Sequence, residues 1–176
     1  MQDSKKGFVS FRVGKSLSRN QSPKTNTEIE RMRGIPYASA VGSLMYAMLC
    51  TRLNIYFAVG IVSRYQSEPG EEHWIDVKHI LKYLRRTRDY MLVYQDKSLK
   101  PIGYTDSDFQ SDIDSRKSTS GYVFTFGGGA ISWRSVKQSS IVDSTMEAEY
   151  IAASEAAKEA MWLKNFLMDL EVVPFE

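Results

Sequence analysis

The sequence predicts a mixed α/β (α+β) chain, with a helical N-terminal half followed by antiparallel strands and one long helix across them. Three observations carry this. Between residues 37 and 86 apolar residues recur at helical spacing. Between residues 90 and 134 short β-branched and aromatic runs alternate with Gly, Asp and Ser turn signals. At Ser144 and Glu147 a Ser-x-x-Glu capping box opens a helical pattern that continues to about Leu170.

The 176 residues leave room for one sizeable domain or two small ones. With 43% hydrophobic and 25% charged residues, the chain can build a packed core. A formal charge of +2 does not by itself demand a nucleic-acid partner, so the distribution of charge matters more. The single cysteine, Cys50, excludes an internal disulfide and suits a reducing compartment. An intracellular location, cytoplasmic or nuclear, is therefore expected. Cys50 falls in an apolar helix and reads as core rather than nucleophile. Residues 1–33 are polar and contain no apolar stretch of a secretory leader. Residues 37–62 are the longest apolar run, but Arg52 and Asn54 sit in its middle. A central Arg disfavours membrane insertion by roughly 2.5–3.5 kcal/mol. Two buried helices joined by a polar break at residues 51–54 are expected, with no membrane partner.

Taken in order, residues 1–25 have no clear period and read as loop, with a short strand at residues 8–13. Residues 27–31 open a short helix capped by Asn26 or Thr27, which Gly34 and Pro36 close. Tyr37, Val41, Leu44, Met45, Met48 and Leu49 share a helical stripe, and Ile55, Val59 and Val62 share the next. Ser67, Pro69, Glu71 and Glu72 are helix-start signals, with Ser67 as the cap. That helix buries Trp74, Val77, Ile80, Leu81 and Leu84. Its C-terminal half carries Lys78, Lys82, Arg85, Arg86 and Arg88. These cations either complement the helix dipole at a solvated surface or form a basic edge that tracks a phosphate backbone.

Strands are expected at residues 90–94, 102–106, 122–126 and 130–134, with a polar loop at residues 108–117 containing Asp112 and Asp114. Gly127, Gly128 and Gly129 read as a hairpin turn. No Lys-Ser/Thr pair follows them, so they are not a phosphate-binding loop. Ile141 and Val142 end a further short strand segment. His73 and His79 are six residues apart on different helix faces and build no metal shell.

Two acids stand out. Stepping by four and three from Glu149 gives Ala153, Ala156, Ala160, Leu163 and Leu167, an apolar stripe on which a lone charge needs a partner. On the strand, Ile102, Tyr104 and Asp106 share one face, and Asp106 comes where the strand ends. If strand and helix pack together, Asp106 and Glu149 meet. Two carboxylates held close resist joint ionisation unless a cation sits between them. Such oxygen donors suit Mg²⁺ or Mn²⁺. The plain alternative makes Asp106 a turn residue and lets Glu149 reach solvent from the first helical turn.

Several motifs carry a family resemblance. They are Tyr37-Ala38-Ser39-Ala40-Val41-Gly42-Ser43-Leu44-Met45-Tyr46-Ala47, Ile80-Leu81-Lys82-Tyr83-Leu84-Arg85, Tyr104-Thr105-Asp106-Ser107-Asp108, Ser115-Arg116-Lys117-Ser118-Thr119-Ser120-Gly121-Tyr122-Val123-Phe124, Ile131-Ser132-Trp133 and Ser144-Thr145-Met146-Glu147-Ala148-Glu149-Tyr150. In this order they resemble the Ty1/copia-type retrotransposon polyprotein across nearly the whole chain. The resemblance implies that residues 1–89 are like the thumb and connection of the reverse transcriptase and that residues 90–176 are a truncated, incomplete RNase H-like domain. In that family the RNase H domain cuts the RNA strand of an RNA–DNA hybrid with Mg²⁺ ions held by four acids. Asp106 matches the first and Glu149 the second, as catalytic and metal-binding residues. Lys78, Lys82, Arg85, Arg86, Arg116 and Lys117 become the nucleic-acid-binding candidates, and the rest of the Pol polyprotein becomes a partner.

This sequence departs from the family at Arg52-Leu53-Asn54-Ile55, where the family has Arg-Pro-Asp-Ile. The family's later Cys-Asp-Asn motif and fourth acid have no match here, so the 176 residues alone are expected to be inactive or nearly so. A second resemblance is to short proteins described as secreted RxLR effectors. It implies a non-enzymatic protein acting on host cell death, and only that reading implies secretion. An Arg-x-Leu-Arg motif is absent near the start of the sequence.

Overall fold

The computed structural model describes residues 6–12, 14, 16–95 and 99–171. The chain divides into two compact units, Met1–Met91 and Leu92–Glu176. The mixed α/β class expected from the sequence is the class observed, with helices in the first unit and an antiparallel sheet plus one long helix in the second.

The first unit holds four α-helices among its described residues: α1 (Asn26–Arg33), α2 (Tyr37–Cys50), α3 (Tyr56–Val62) and α4 (Glu71–Arg86). Thr25 caps α1, rather than Asn26 or Thr27 as expected. Its side chain accepts from Glu28 N–H at 3.3 Å, and Glu28 Oε2 accepts from Thr25 N–H at 3.1 Å. The polar break is real: a 3₁₀ turn at Leu53–Ile55 separates α2 from α3. Tyr37, Val41, Leu44 and Met48 of α2 pack with Ile55, Val59, Val62, Val77 and Ile80 in one core. Tyr37 Oη donates to Val62 O at 2.8 Å, tying α2 to α3, and burial pushes that phenol well above its ordinary range. Leu49 and Cys50 are exposed, so Cys50 is not the core residue expected. Both lie past the buried stripe on the last turn of α2.

Gly70, not Ser67, caps α4. The reason is steric. A Cβ at Gly70 would stand 1.8 Å from Gln21 O, so only glycine lets the two backbones approach this closely. His73, fully buried, finishes the cap. Its Nδ1 accepts from Gly70 N–H at 2.8 Å, which leaves Nε2 to donate to Ser18 O at 3.1 Å. Its ring stacks on Tyr65 at 4.1 Å. No strand forms at residues 8–12, and Val13 lies outside the described residues. That segment is held by side chains instead: Arg12 pairs with Asp76 and, at 3.1 Å, with Glu72.

The second unit is a three-stranded meander among the described residues. It comprises β1 (Ile102–Ser107), β2 (Thr119–Phe126) and β3 (Gly129–Lys137), in the order β1-β2-β3 and antiparallel throughout. Gly127 and Gly128 have φ of 58° and 82°, the two positive values that a two-residue hairpin turn demands. The strand expected at residues 90–94 is absent. Its end crosses the start of β3 through a side chain: Tyr94 Oη donates to Ala130 O at 2.8 Å, and its ring fills the space a Cβ on Gly129 would take. Ile141 and Val142 form no strand either. Val142 is buried, and its carbonyl accepts from Gln110 Nε2 at 2.9 Å. The long helix is α5 (Thr145–Asp169), packed on β1 and β2; Ser144 caps it as expected, but Glu147 Oε2 accepts from Asp143 N–H at 3.0 Å rather than closing the expected box on Ser144.

Asp76 is 2% exposed, so removing its cation leaves a buried charge without compensation. Arg12→Ala is expected to lower the urea-melt stability of the first unit by about 3–5 kcal/mol. Arg12→Ala combined with Asp76→Ala should be milder than Arg12→Ala alone. A double variant at least as unstable as the single one would show that the pair is not the source of the loss.

Candidate metal centre

Ser120, Tyr122 and Phe124 share the face of β2 that takes α5, since Phe124 packs with Ala156 and Leu163. In register with them on β1 stand Ser107, Thr105 and Gly103. The Phe124 ring occupies the place of a side chain at Gly103, where a Cβ would lie 2.4 Å from it. The buried stripe of α5 is Ala148, Ala152, Ala156, Leu163 and Leu167.

This corrects the expected phase of the helix. Ala156, Leu163 and Leu167 are buried as anticipated, but Glu149, Ala153 and Ala160 are exposed. At 100° per residue, a stripe that starts at Ala148 puts Glu149 on the flank of the contact rather than in it. Gln138, 2% exposed, fixes that phase. Its Nε2 donates to Ser120 Oγ at 2.9 Å and to Ala148 O at 3.0 Å, and its own N–H donates to Ser118 O at 2.8 Å.

From the flank, Glu149 reaches the end of β1. Asp108 N–H donates to Thr119 O at 3.1 Å, so by antiparallel alternation the N–H groups of Ser107, Thr105 and Gly103 point out at the open edge. Glu149 Oε1 accepts the outward Ser107 N–H at 3.4 Å. Asp106, the neighbour of Ser107, pairs with Gly121 and is exposed on the alternate face with Tyr104 and Ile102. The fold therefore brings Glu149 to the residue next to Asp106, but the Asp106 side chain stands on the face of β1 opposite the one that takes α5, which corrects the expectation that the two carboxylates meet on the packed face. Among the described residues no group of three His, Cys, Asp or Glu could hold a metal ion. The donors present fit a hard cation in kind, and Ser107 Oγ beside them is buried without a hydrogen-bond partner among the described residues.

Neighbouring acids have structural work instead. Asp108 Oδ1 accepts from Thr119 N–H at 2.7 Å and Oδ2 from Ser111 Oγ at 2.6 Å, closing the loop between β1 and β2. Asp112, 4% exposed, accepts from Lys137 Nζ at 2.8 Å and from Ser115 Oγ. The Asp112-x-x-Ser115 spacing was a readable turn signal for this.

The six nucleic-acid candidates divide between the units. In the first unit, Lys78, Lys82 and Arg85 are half-buried on α4, and Arg86 is exposed with its guanidinium 4.0 Å above the Phe8 ring. In the second, Arg116 is exposed in a left-handed turn at φ 55°. Lys117 is tied down, its Nζ donating to Ser139 O.

No protein-family model and no solved structure matches the chain. Curated relatives do. Over 156 residues the chain is 56% identical to the Retrovirus-related Pol polyprotein from transposon TNT 1-94 of Nicotiana tabacum, an alignment covering 88% of this chain and 12% of the relative. It is 35% identical over 137 residues to the Pol polyprotein from transposon RE2 of Arabidopsis thaliana, covering 77% of this chain and 9% of that protein. It is also 46% identical over 133 residues to Secreted RxLR effector protein 161 of Plasmopara viticola, covering 75% of this chain and 94% of that protein. The chain belongs to the retrovirus-related Pol polyproteins of copia-type transposons, and it matches a segment of them.

Gln138 should be the residue that holds the first turn of α5 in place. Gln138→Ala is expected to cost about 1–3 kcal/mol, the loss from orphaning buried hydrogen-bond partners. Backbone amides of the first turns of α5 should lose hydrogen-exchange protection while those of α4 keep theirs. Equal loss in both helices would argue against a local clasp.

Proposed function

We propose that the second unit is the opening part of an RNase H-like domain, in which Asp106 and Glu149 are two of the acids of a Mg²⁺ or Mn²⁺ site. The observation that supports this most is the 3.4 Å approach of Glu149 Oε1 to the Ser107 amide, which sets the helix acid at the end of the strand that carries Asp106. Metal ions bound at such a site activate water and stabilise the leaving oxygen of a phosphodiester. This chain's part is to present the acids. Ser144 caps α5 and the Gln138 amide holds Ala148, which together place Glu149. Asp108 holds the β1–β2 loop and with it the end of β1.

The substrate on this reading is an RNA–DNA hybrid, with Arg116 as the phosphate contact of the second unit and, taken separately, the basic edge of α4 as that of the first. Two carboxylates leave most of an octahedral shell to other ligands, so the 176 residues alone should bind metal weakly and leave a hybrid uncut. The remainder of the Pol polyprotein is the partner that completes the site. A second reading makes the chain a non-enzymatic protein of the RxLR-effector kind, favoured by its alignment to nearly the full length of one such protein.

Mn²⁺ titration followed by electron paramagnetic resonance separates the two readings. The wild-type chain should bind Mn²⁺, and Asp106→Asn or Glu149→Gln should each weaken binding by about 10- to 100-fold or more. Hydrolysis of a hybrid should appear only when the following segment of a copia-type Pol protein is supplied. Mn²⁺ binding that ignores both substitutions, or is absent, would rule out the metal site and leave the effector-like reading standing.

A further inference from the structure

Residues 6–12 lie along α4 and are pinned at several points. Gly7 N–H donates to Lys82 O at 3.1 Å, and a Cβ at Gly7 would stand 3.1 Å from Lys82 Cβ, a tight fit for a side chain. Ser10 Oγ donates to Asn54 O at 3.2 Å. The Phe11 ring meets Phe57 edge-on at 5.6 Å. Arg12 pairs with Glu72 and Asp76. Between these anchors Phe8 does not enter the core. It is 75% exposed, with the Arg86 guanidinium 4.0 Å from its ring centre.

A lone exposed Phe is ordinary on a protein surface. Two features set this one apart. Its backbone is fastened on both sides, so presenting the ring to a ligand costs little further ordering. It also stands on a line of cations. Lys78, Lys82 and Arg86 follow one another at i, i+4 and i+8, about 6 Å apart along the helix axis, and so share one face of α4. A charged track with an aromatic ring set on it is how proteins hold single-stranded nucleic acid: cations take the backbone and a ring face takes a base.

We propose that Phe8, backed by Arg86, is a stacking platform for one unpaired base, with Lys82 and Lys78 receiving the phosphates on one side of it. The ligand class is a single-stranded nucleic acid, or the unpaired end of a longer one. The platform rests on reading the basic edge of α4 as a nucleic-acid contact. It adds selectivity, because a paired base must first give up its stacking and pairing to reach the ring.

The test uses the full chain and a short single-stranded oligonucleotide carrying one 2-aminopurine, whose fluorescence falls on stacking, alongside the same oligonucleotide in a duplex. The wild-type protein should quench the single strand and bind it more tightly than the duplex. Phe8→Ala should abolish the quenching and weaken single-strand binding about tenfold, within roughly 5- to 150-fold, with duplex binding unchanged. Phe8→Trp should restore the quenching. Lys78→Gln with Lys82→Gln should weaken both forms and flatten the salt dependence. Wild-type protein that binds both forms without quenching, or Phe8→Ala acting equally on both or on neither, overturns the platform and leaves the basic edge intact. Wild-type protein that binds neither form overturns both. Phe8 buries little surface, so circular dichroism and melting of Phe8→Ala should match the wild type.

Discussion

A helix can lie close to a sheet only where its facing side chains are small, and in the second unit that condition is met by Ala148, Ala152 and Ala156. The same closeness appears on the sheet side, where Gly103 gives up its Cβ position to the Phe124 ring. Large residues would lift the helix and carry its first turn away from the end of β1. With alanines there, the Gln138 amide can reach the Ala148 carbonyl, and one residue later Glu149 meets the strand edge. The candidate centre is thus a by-product of packing distance: nothing in the geometry of Glu149 is independent of the alanines before and after it.

Much of this was readable from residue order. The Ser144 cap, the Gly127-Gly128 turn, the break after Cys50 and the α4 pattern are local signals, and the fold obeys them. What escaped was set by distant neighbours. The stripe through Glu149 and the stripe through Ala148 differ by one residue and are almost equally apolar, so periodicity could not choose between them. Gln138 chose. Residues 90–94 have the composition of a strand, but a strand also needs a free edge in the right place, and Tyr94 meets β3 by its hydroxyl instead. His73 read as an unremarkable helix residue because its cap partner, Gly70, and its acceptor, Ser18 O, belong to different segments. Of the two acids, the place of Asp106 near the end of β1 was legible but the face it shows was not, and the exposure of Glu149 was the alternative that alternation and periodicity did not favour.

The first unit shows how far polar groups can be drawn inside when each finds a partner. His73 and Asp76 lie on α4 between apolar Trp74, Val77 and Ile80, and each anchors a segment from the N-terminal side: His73 the turn at Ser18, Asp76 the irregular stretch at Arg12. The Arg12 segment continues along α4 to Lys82 and Arg86, where Gly7 N–H donates to Lys82 O and Phe8 lies under the Arg86 guanidinium. The tobacco Pol polyprotein that the chain resembles is much longer, and the alignment covers 12% of it. Among the described residues no helix is long and apolar enough to cross a membrane.

The meander has a consequence for the order in which the second unit can form during synthesis. β1, β2 and β3 each pair with their neighbours in sequence, β2 and β3 through a two-residue turn, so the sheet can assemble as soon as they leave the ribosome. Its apolar side, centred on Phe124, waits for a cover that arrives more than a score of residues later, when Leu163 has been made. During that wait the nascent sheet offers both a bare greasy face and a β1 margin that no described strand pairs, the kinds of surface through which incomplete folds stick to one another.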